Sequence, residues 1–309
     1  MEAYSNLMQE ILNGKFVFTG ELEPEKTTDL NELVEGAKPL VGYAVACNVT
    51  DNPQSMAYMS SLVASYLVQR DAGMETIYQL RCSDRNRLAL TADVLGAAAL
   101  GLKNILALTG DHVSLGDNPG AKAVYDLDAV LLTYMIRKMV DEGVDLAGKP
   151  IHEPPKLHVG VAVNPNADPL EAEIIKLKRK EVAGAEFVQT QVVYEMEKVD
   201  SLFEIYNQYG IKVPVLIGIF PMKNYGVADY FDKNIPGVSV PKELLEILKM
   251  ASEITDKKER KEKYLEINLE YFENFVRDIM KSEAKGVHVM AVGYEQMVRE
   301  LIARVRGEG

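Results

Sequence analysis

Eight short runs rich in apolar and β-branched residues punctuate the chain, and they constrain its fold more than any other feature. They are FVFTGEL (16–22), YAVACNVT (43–50), TIYQLRC (76–82), NILALTG (104–110), KLHVGVAV (156–163), EFVQTQVV (186–193), VPVLIGIF (213–220) and GVHVMAV (286–292). Most are near-continuous apolar stretches. Strands of a parallel sheet need this pattern because both faces are covered. Helical patterns lie between them, and several close on a glycine just before the next run, as at Gly73, Gly101, Gly184 and Gly210. Most run starts are about 30 residues apart, the length of one βα unit. Two intervals are longer. Residues 111–155 add a loop, GDHVSLGDNPGAK, and a Gly/Pro linker; residues 221–285 add at least two helices, one carrying KKERKEK. Eight parallel strands with intervening helices predict an α/β fold: a closed (β/α)8 TIM barrel forming one domain over 1–309, with extra helices before the last strand. A doubly wound open sheet is the alternative, but it gives no reason for the count of eight.

Charge and cysteine content narrow the partners. With 34 basic and 46 acidic side chains, the formal net charge is −12. Such a chain repels nucleic acid and anionic membrane surfaces, although a local basic patch can still hold a phosphate. The N-terminal stretch has no apolar core and no run is long enough to span a bilayer, so a cytoplasmic location is expected. Cys47 and Cys82 stand far apart. They form no C-x-x-C pair and hold no iron–sulfur or zinc framework, so they read as reduced, buried small residues. The four histidines lack metal-ligand spacing; His158 and His288 lie within strands and read as core residues. KKERKEK reads as a solvated helical face. No Walker loop, G-x-G-x-x-G fingerprint or Ser-His-Asp arrangement is present.

A barrel of this kind places its active site at the C-terminal strand ends. The polar residues there are Glu21, Glu23 and Glu25 after strand one, Thr50 and Asp51 after strand two, and Gln79, Arg81, Asp84 and Arg85 around strand three. Asp111, Asn164 and Asp168, Gln189 and Gln191, and Lys223, Asn224 and Tyr225 complete the rim. Gln189 and Gln191 share a parity and face one side of the sheet, as do Glu21 and Glu23. An amide in an apolar strand needs hydrogen-bond partners, either in a polar layer or in a ligand rich in donors and acceptors. A desolvated carboxyl at the mouth can act as a general acid. Asp111 is either a loop cap or a site carboxylate. The bases of LKRK, 177–180, either complement a helix C-terminus or capture a phosphate-bearing cofactor.

GELEPEK, ILALTGD, LKRKEVAGAEFVQTQ, GIFPMKNY and VHVMAV, in this order over the whole chain, resemble the methylenetetrahydrofolate reductase family, whose members are FAD-containing (β/α)8 barrels. CNVTDNP and QLRCSDRNRLALTADVLGAAALG are most similar to short reductases of anaerobes, which lack a regulatory domain and work beside partner subunits. The resemblance implies flavin-dependent reduction of 5,10-methylenetetrahydrofolate, or a related pterin, to its 5-methyl form in one-carbon metabolism. It places the general acid on Glu21, which protonates N10, and a carboxylate beside flavin and pterin on Asp111. Substrate contacts fall on Gln191, Tyr225 and Thr50. Flavin contacts fall on Gln79, Thr109, Gly110, Asp111, Asn164, Asp168, Arg179, Lys180 and Ala185. At Gln79, Thr109, Asn164, Asp168 and Tyr294 the family has His, Arg, Tyr, His and Arg, respectively. FAD is the implied cofactor and FMN its substitute; no metal is implied. Electrons come from NAD(P)H or from a protein donor, in a homo- or hetero-oligomer. The competing readings are a barrel methyltransferase moving a methyl group between a folate or pterin and a corrinoid protein, and a non-catalytic docking subunit of a redox complex.

Overall fold

The computed structural model describes residues 2–235 and 237–308. Eight strands run in chain order around a closed barrel: β1 (Val17–Leu22), β2 (Ala46–Val49), β3 (Thr76–Arg81), β4 (Asn104–Leu108), β5 (His158–Val163), β6 (Phe187–Val192), β7 (Val215–Ile219) and β8 (Gly286–Val289). Each pairs in parallel with the next, and β8 closes on β1 through Thr19 opposite His288. All eight expected strands are present. The apolar runs overshoot the paired segments by one to three residues at several ends, because backbone pairing stops before the side chains cease to be buried.

The helices are α1 (Asn6–Leu12), α2 (Asn31–Ala37), α3 (Ser61–Ala72), α4 (Arg87–Ala99), α5 (Ala129–Asp141), α6 (Leu170–Val182), α7 (Met196–Gln208), α8 (Tyr225–Asn234), α9 (Lys242–Ser252), α10 (Lys257–Ile279) and α11 (Glu295–Arg306). Helix α3 starts only at Ser61; residues 51–60 belong to a loop at the barrel mouth. Among the described residues the β7–β8 excursion holds three helices. The first turns of α10 expose their charges, while Phe272, Phe275, Val276 and Ile279 pack inward. Among the described residues no helix is long and apolar enough to cross a membrane.

One end of the barrel is shut. Leu7, Met8 and Ile11 of α1 pack on Ile77, Leu106, Phe187 and Leu216. The Ser5 hydroxyl accepts from Met8 N at 3.1 Å, and the Glu75 carboxylate accepts the free N–H groups of Asn6 and Leu7 at 2.7 and 3.0 Å. These side chains satisfy donors that a helix start leaves unpaired. Gly160 makes room for the Phe187 ring: a Cβ there would lie 2.2 Å from it. Cys47 and Cys82 are buried and unpaired with each other, and burial pushes both thiols up to about 12, so neither is poised as a nucleophile.

Candidate active site at the barrel mouth

The open end holds a cavity of about 450 Å³. Its lower layer is polar and self-satisfied. Asn48 and Gln189 exchange amide hydrogen bonds at 2.7 and 3.0 Å across the barrel, and Gln189 also donates to Thr19 Oγ1 at 3.2 Å. Thr19 Oγ1 lies 3.0 Å from His288 Nδ1. With the Thr19 hydroxyl donating to Nδ1, the network assigns the ring proton to Nε2, which faces Glu21 Oε2 at 3.4 Å. Gln79 Nε2 approaches the same oxygen at 3.4 Å. Glu21 is thus held loosely, on strand β1, with its carboxyl facing the cavity.

Glu21 and Glu23 do not share this space. Pairing on β1 ends at Leu22 and Pro24 follows, so strand parity lapses. Glu23 lines an adjoining cavity with Glu25, Glu32 and Glu295. Burial, then Glu21 and Glu25, push its carboxyl above the ordinary range, against Lys223. Gln189 and Gln191 both reach the mouth cavity, as their parity implied; Gln189 is spent on Asn48 and Thr19, whereas Gln191 is exposed there.

Asp111 stands where β4 ends. Gly110 turns the chain at φ +86°, and a Cβ there would strike Ser83 Oγ at 2.7 Å. Asp111 Oδ2 accepts from Gln54 N at 2.9 Å, and its backbone carbonyl accepts from Ser55 Oγ and Tyr125 OH, both at 3.0 Å. Gln54 and Ser55 belong to a loop of unusual conformation: Asn52, Gln54 and Ser55 have φ of +46°, +52° and +57°. Left-handed backbone at non-glycine residues costs about 1–3 kcal/mol each and persists only where surroundings impose it. Arg81, at the end of β3, supplies part of that imposition. Its NH1 donates to Asn52 O at 2.8 Å and Ser55 Oγ at 3.2 Å, and its NH2 to Asp84 at 2.6 Å. Asp51 accepts from Arg81 N and pairs with Arg85 at 2.7 Å; burial still raises its carboxyl.

Of the residues singled out in the sequence, Glu21, Thr50, Gln79, Gly110, Asp111 and Gln191 line this one cavity. Others lie apart. Thr109 Oγ1 accepts from Ala129 N at 3.1 Å at the start of α5. Asn164 accepts from Asn166 N at 3.0 Å in the loop after β5, and Asp168 is exposed before α6. Arg179 is exposed on α6. Lys180 donates to Ala162 O at 2.7 Å, and burial lowers its pKa. Ala185 sits before β6, its N–H bonded to Lys180 O. Tyr225 opens α8, and its hydroxyl lies 3.3 Å from Asp229 Oδ1. His288 is buried, as its place within a strand predicts, and also borders the cavity, as does Asn48. The signal for His288 was its place on the strand beside β1.

The residues present suit a flat heteroaromatic ring with polar edges. Leu106, Leu108 and Ala162 give an apolar wall, and Gln79 and Gln191 give amides. Thr50 Oγ1 and Arg81 Nε are buried beside the cavity without a partner, two unsatisfied polar atoms at its wall. Of the two α6 bases, Lys180 donates to the carbonyl of Ala162, a residue of the cavity wall, and Arg179 is exposed to solvent.

A closed eight-stranded parallel barrel with an acid, amides and a carboxylate gathered at its C-terminal mouth defines a (β/α)8 barrel of the enzyme type. The profile of the methylenetetrahydrofolate reductase family matches residues 6–306, and the chain belongs to that family, one of flavin-dependent oxidoreductases. A probable methylenetetrahydrofolate reductase (NADPH) of Caenorhabditis elegans is 25% identical over 258 residues, 81% of this chain and 35% of that protein. A 5,10-methylenetetrahydrofolate reductase of Pectobacterium carotovorum subsp. carotovorum is 25% identical over 228 residues, 72% of this chain and 70% of that one. The chain spans only 35%, 37% and 38% of three of the eukaryotic relatives it matches. A solved Clostridium thermocellum protein that binds two copies of 5-methyl-5,6,7,8-tetrahydrofolic acid shares the fold, with a TM-score of 0.64 and 15% identity over 99% of this chain and 100% of that one.

Proposed function

We propose that this chain reduces 5,10-methylenetetrahydrofolate, or a closely related pterin, to the 5-methyl form with bound FAD. The observation that carries the reading is the pairing, across one cavity, of a loosely held Glu21 with a fixed Asp111 and a free Gln191 amide. The named activity of the relatives and the folate bound by the Clostridium thermocellum protein support the same substrate class. Bound flavin supplies a hydride.

The chain's own residues do the rest. Glu21 delivers a proton to N10 of the folate, which opens the five-membered ring and leaves a cationic iminium at N5. Hydride addition to the methylene carbon then completes the methyl group, so one proton and one hydride are consumed. Asp111 stabilises the cation electrostatically, its carboxylate preoriented by the Gln54 N–H. Gln191 offers a donor and an acceptor to the pterin edge. His288 and Gln79 hold the Glu21 oxygen from which the proton leaves. Gln79 would meet the polar rim of the flavin, Thr50 the substrate, and Lys180 and Arg179 of α6 the flavin phosphates. A bound flavin would draw electrons from NADH, NADPH or a protein donor; relatives carrying both nicotinamide names are among those matched.

The test is anaerobic. Chain reconstituted with FAD is mixed in turn with NADH, NADPH and a reduced ferredoxin-like protein, and flavin bleaching is followed. Methylenetetrahydrofolate is then added. Reoxidation with formation of 5-methyltetrahydrofolate is expected. A colourless protein that takes up neither FAD nor FMN would sink the reading.

A further inference from the structure

A chain of contacts runs along the mouth from the end of β3 to Asp111. The Arg81 guanidinium donates to Ser55 Oγ, and the Ser55 hydroxyl donates to the carbonyl of Asp111. The same guanidinium holds Asn52 O, two residues before the Gln54 N–H that binds the Asp111 carboxylate. Arg81 is 5% exposed and anchored by Asp84, so its fork is fixed before any ligand arrives. The opposite side of the loop is closed by the chain after Asp111: a Cβ on Gly116 would lie 1.8 Å from Ser55 O. Three left-handed, non-glycine residues are therefore gripped between two strand ends, and their two polar outputs both fall on Asp111.

We propose that Arg81 is a positioning residue for Asp111, acting through Ser55 and the left-handed segment 52–55, and that it governs turnover more than substrate affinity. Asp111 follows Gly110, where the backbone is at its most permissive, and its side chain is exposed. Nothing on its own strand fixes its direction. The loop does, and the loop keeps its conformation because Arg81 occupies Asn52 O and Ser55 Oγ together. Lysine has a single donor head and cannot span both while also meeting Asp84. Asp111 Oδ1 has no hydrogen bond among the described residues, which leaves it for the ligand.

The proposal rests on the reductase reading only for its kinetic arm. In that arm Arg81→Met, Arg81→Lys, Asp111→Asn and the double variant Arg81→Met/Asp111→Asn are assayed as FAD-loaded enzymes. Loss of about 10- to 100-fold in kcat with little change in KM is expected for Arg81→Met, the size that misplacement of a catalytic group produces. Arg81→Lys should fall between it and the wild type. The double variant should be no slower than Asp111→Asn alone, because the two residues act as one unit. Effects that multiply in the double variant overturn the proposal. The second arm needs no turnover. Amide hydrogen exchange at Gln54 should be slow in the wild type and at least tenfold faster in Arg81→Met, with β-strand amides unchanged. Ser55→Ala, which leaves the Arg81–Asp84 pair intact, should speed the same amide by a smaller factor if Arg81→Met proves too unstable to study. Unaltered Gln54 protection in either variant overturns the proposal. Should the wild type lack reductase activity, the functional reading fails while the exchange arm still decides the role of Arg81.

Discussion

Two histidine–glutamate pairs sit at opposite ends of the same barrel. At the closed end His158 Nδ1 lies 2.9 Å from Glu186 Oε1, and His158 Nε2 accepts from Tyr4 N at 2.8 Å. Glu186 Oε2 accepts from Val159 N at 2.9 Å and lies 2.7 Å from Arg137 NH1, an ion pair without hydrogen-bond alignment. At the open end His288 and Glu21 are 3.4 Å apart, and the Glu21 carboxyl faces a cavity. The residue types match, but the saturation does not. A pair whose polar atoms all have protein partners holds a structure together; a pair that faces a cavity with spare capacity can meet a ligand.

Exchanging the acids tests this contrast most severely. Glu21→Gln should lower kcat by about 10²- to 10⁴-fold, the usual worth of a general acid, while flavin absorbance and melting behaviour stay near wild type. Glu186→Gln should leave the turnover of folded protein within a few-fold and lower the unfolding free energy by about 1–3 kcal/mol in denaturant titrations, since it weakens the buried contacts of Glu186 with His158 and Val159 N while Arg137 keeps Asp141. A catalytic collapse in Glu186→Gln with the fold intact would erase the distinction. The histidines should follow in smaller steps. His288→Asn is expected to cost roughly 10-fold in kcat, because it removes a partner of the Glu21 oxygen. His158→Asn should cost about 1–2 kcal/mol of stability and leave kcat near wild type.

The smallest effect concerns Glu23, which the contrast classes with neither pair. Its carboxyl is raised in the folded chain, so folding disfavours its charged form. The penalty is present at neutral pH and vanishes as pH falls through the raised value toward the unfolded one of about 4.3. Glu23→Gln should therefore raise Tm by about 1–2 °C near neutral pH, and the gain should shrink on acidification. A gain that grew in acid would reverse the assignment.

The barrel was legible in the sequence because burial on both faces writes a continuous apolar run at each strand. The rim was legible only in part. Glu21, Asp111 and Gln191 stand at strand tips, where the fold itself supplies the expectation. Glu23 was misplaced because parity holds only while the strand is paired, and pairing on β1 stops at Leu22. His288 was read as core because its partners, Thr19 and Glu21, lie more than 260 residues away in sequence. The loop 52–55 was illegible for a different reason. Asn52-Pro53 suggests a turn, but nothing local demands a left-handed Gln54 or Ser55; Arg81 and the segment at Gly116 impose it from elsewhere. Thr109 looked like a rim residue and serves as a bracket for α5.

Helix α1 carries one more implication. It acts as a stopper, wedging Leu7, Met8 and Ile11 under the barrel, so the described residues leave the polar layer no wet path from below. The doorway is one-way in construction and two-way in use. On the proposed function, substrate, product and the replacement proton for Glu21 would all pass through the same opening.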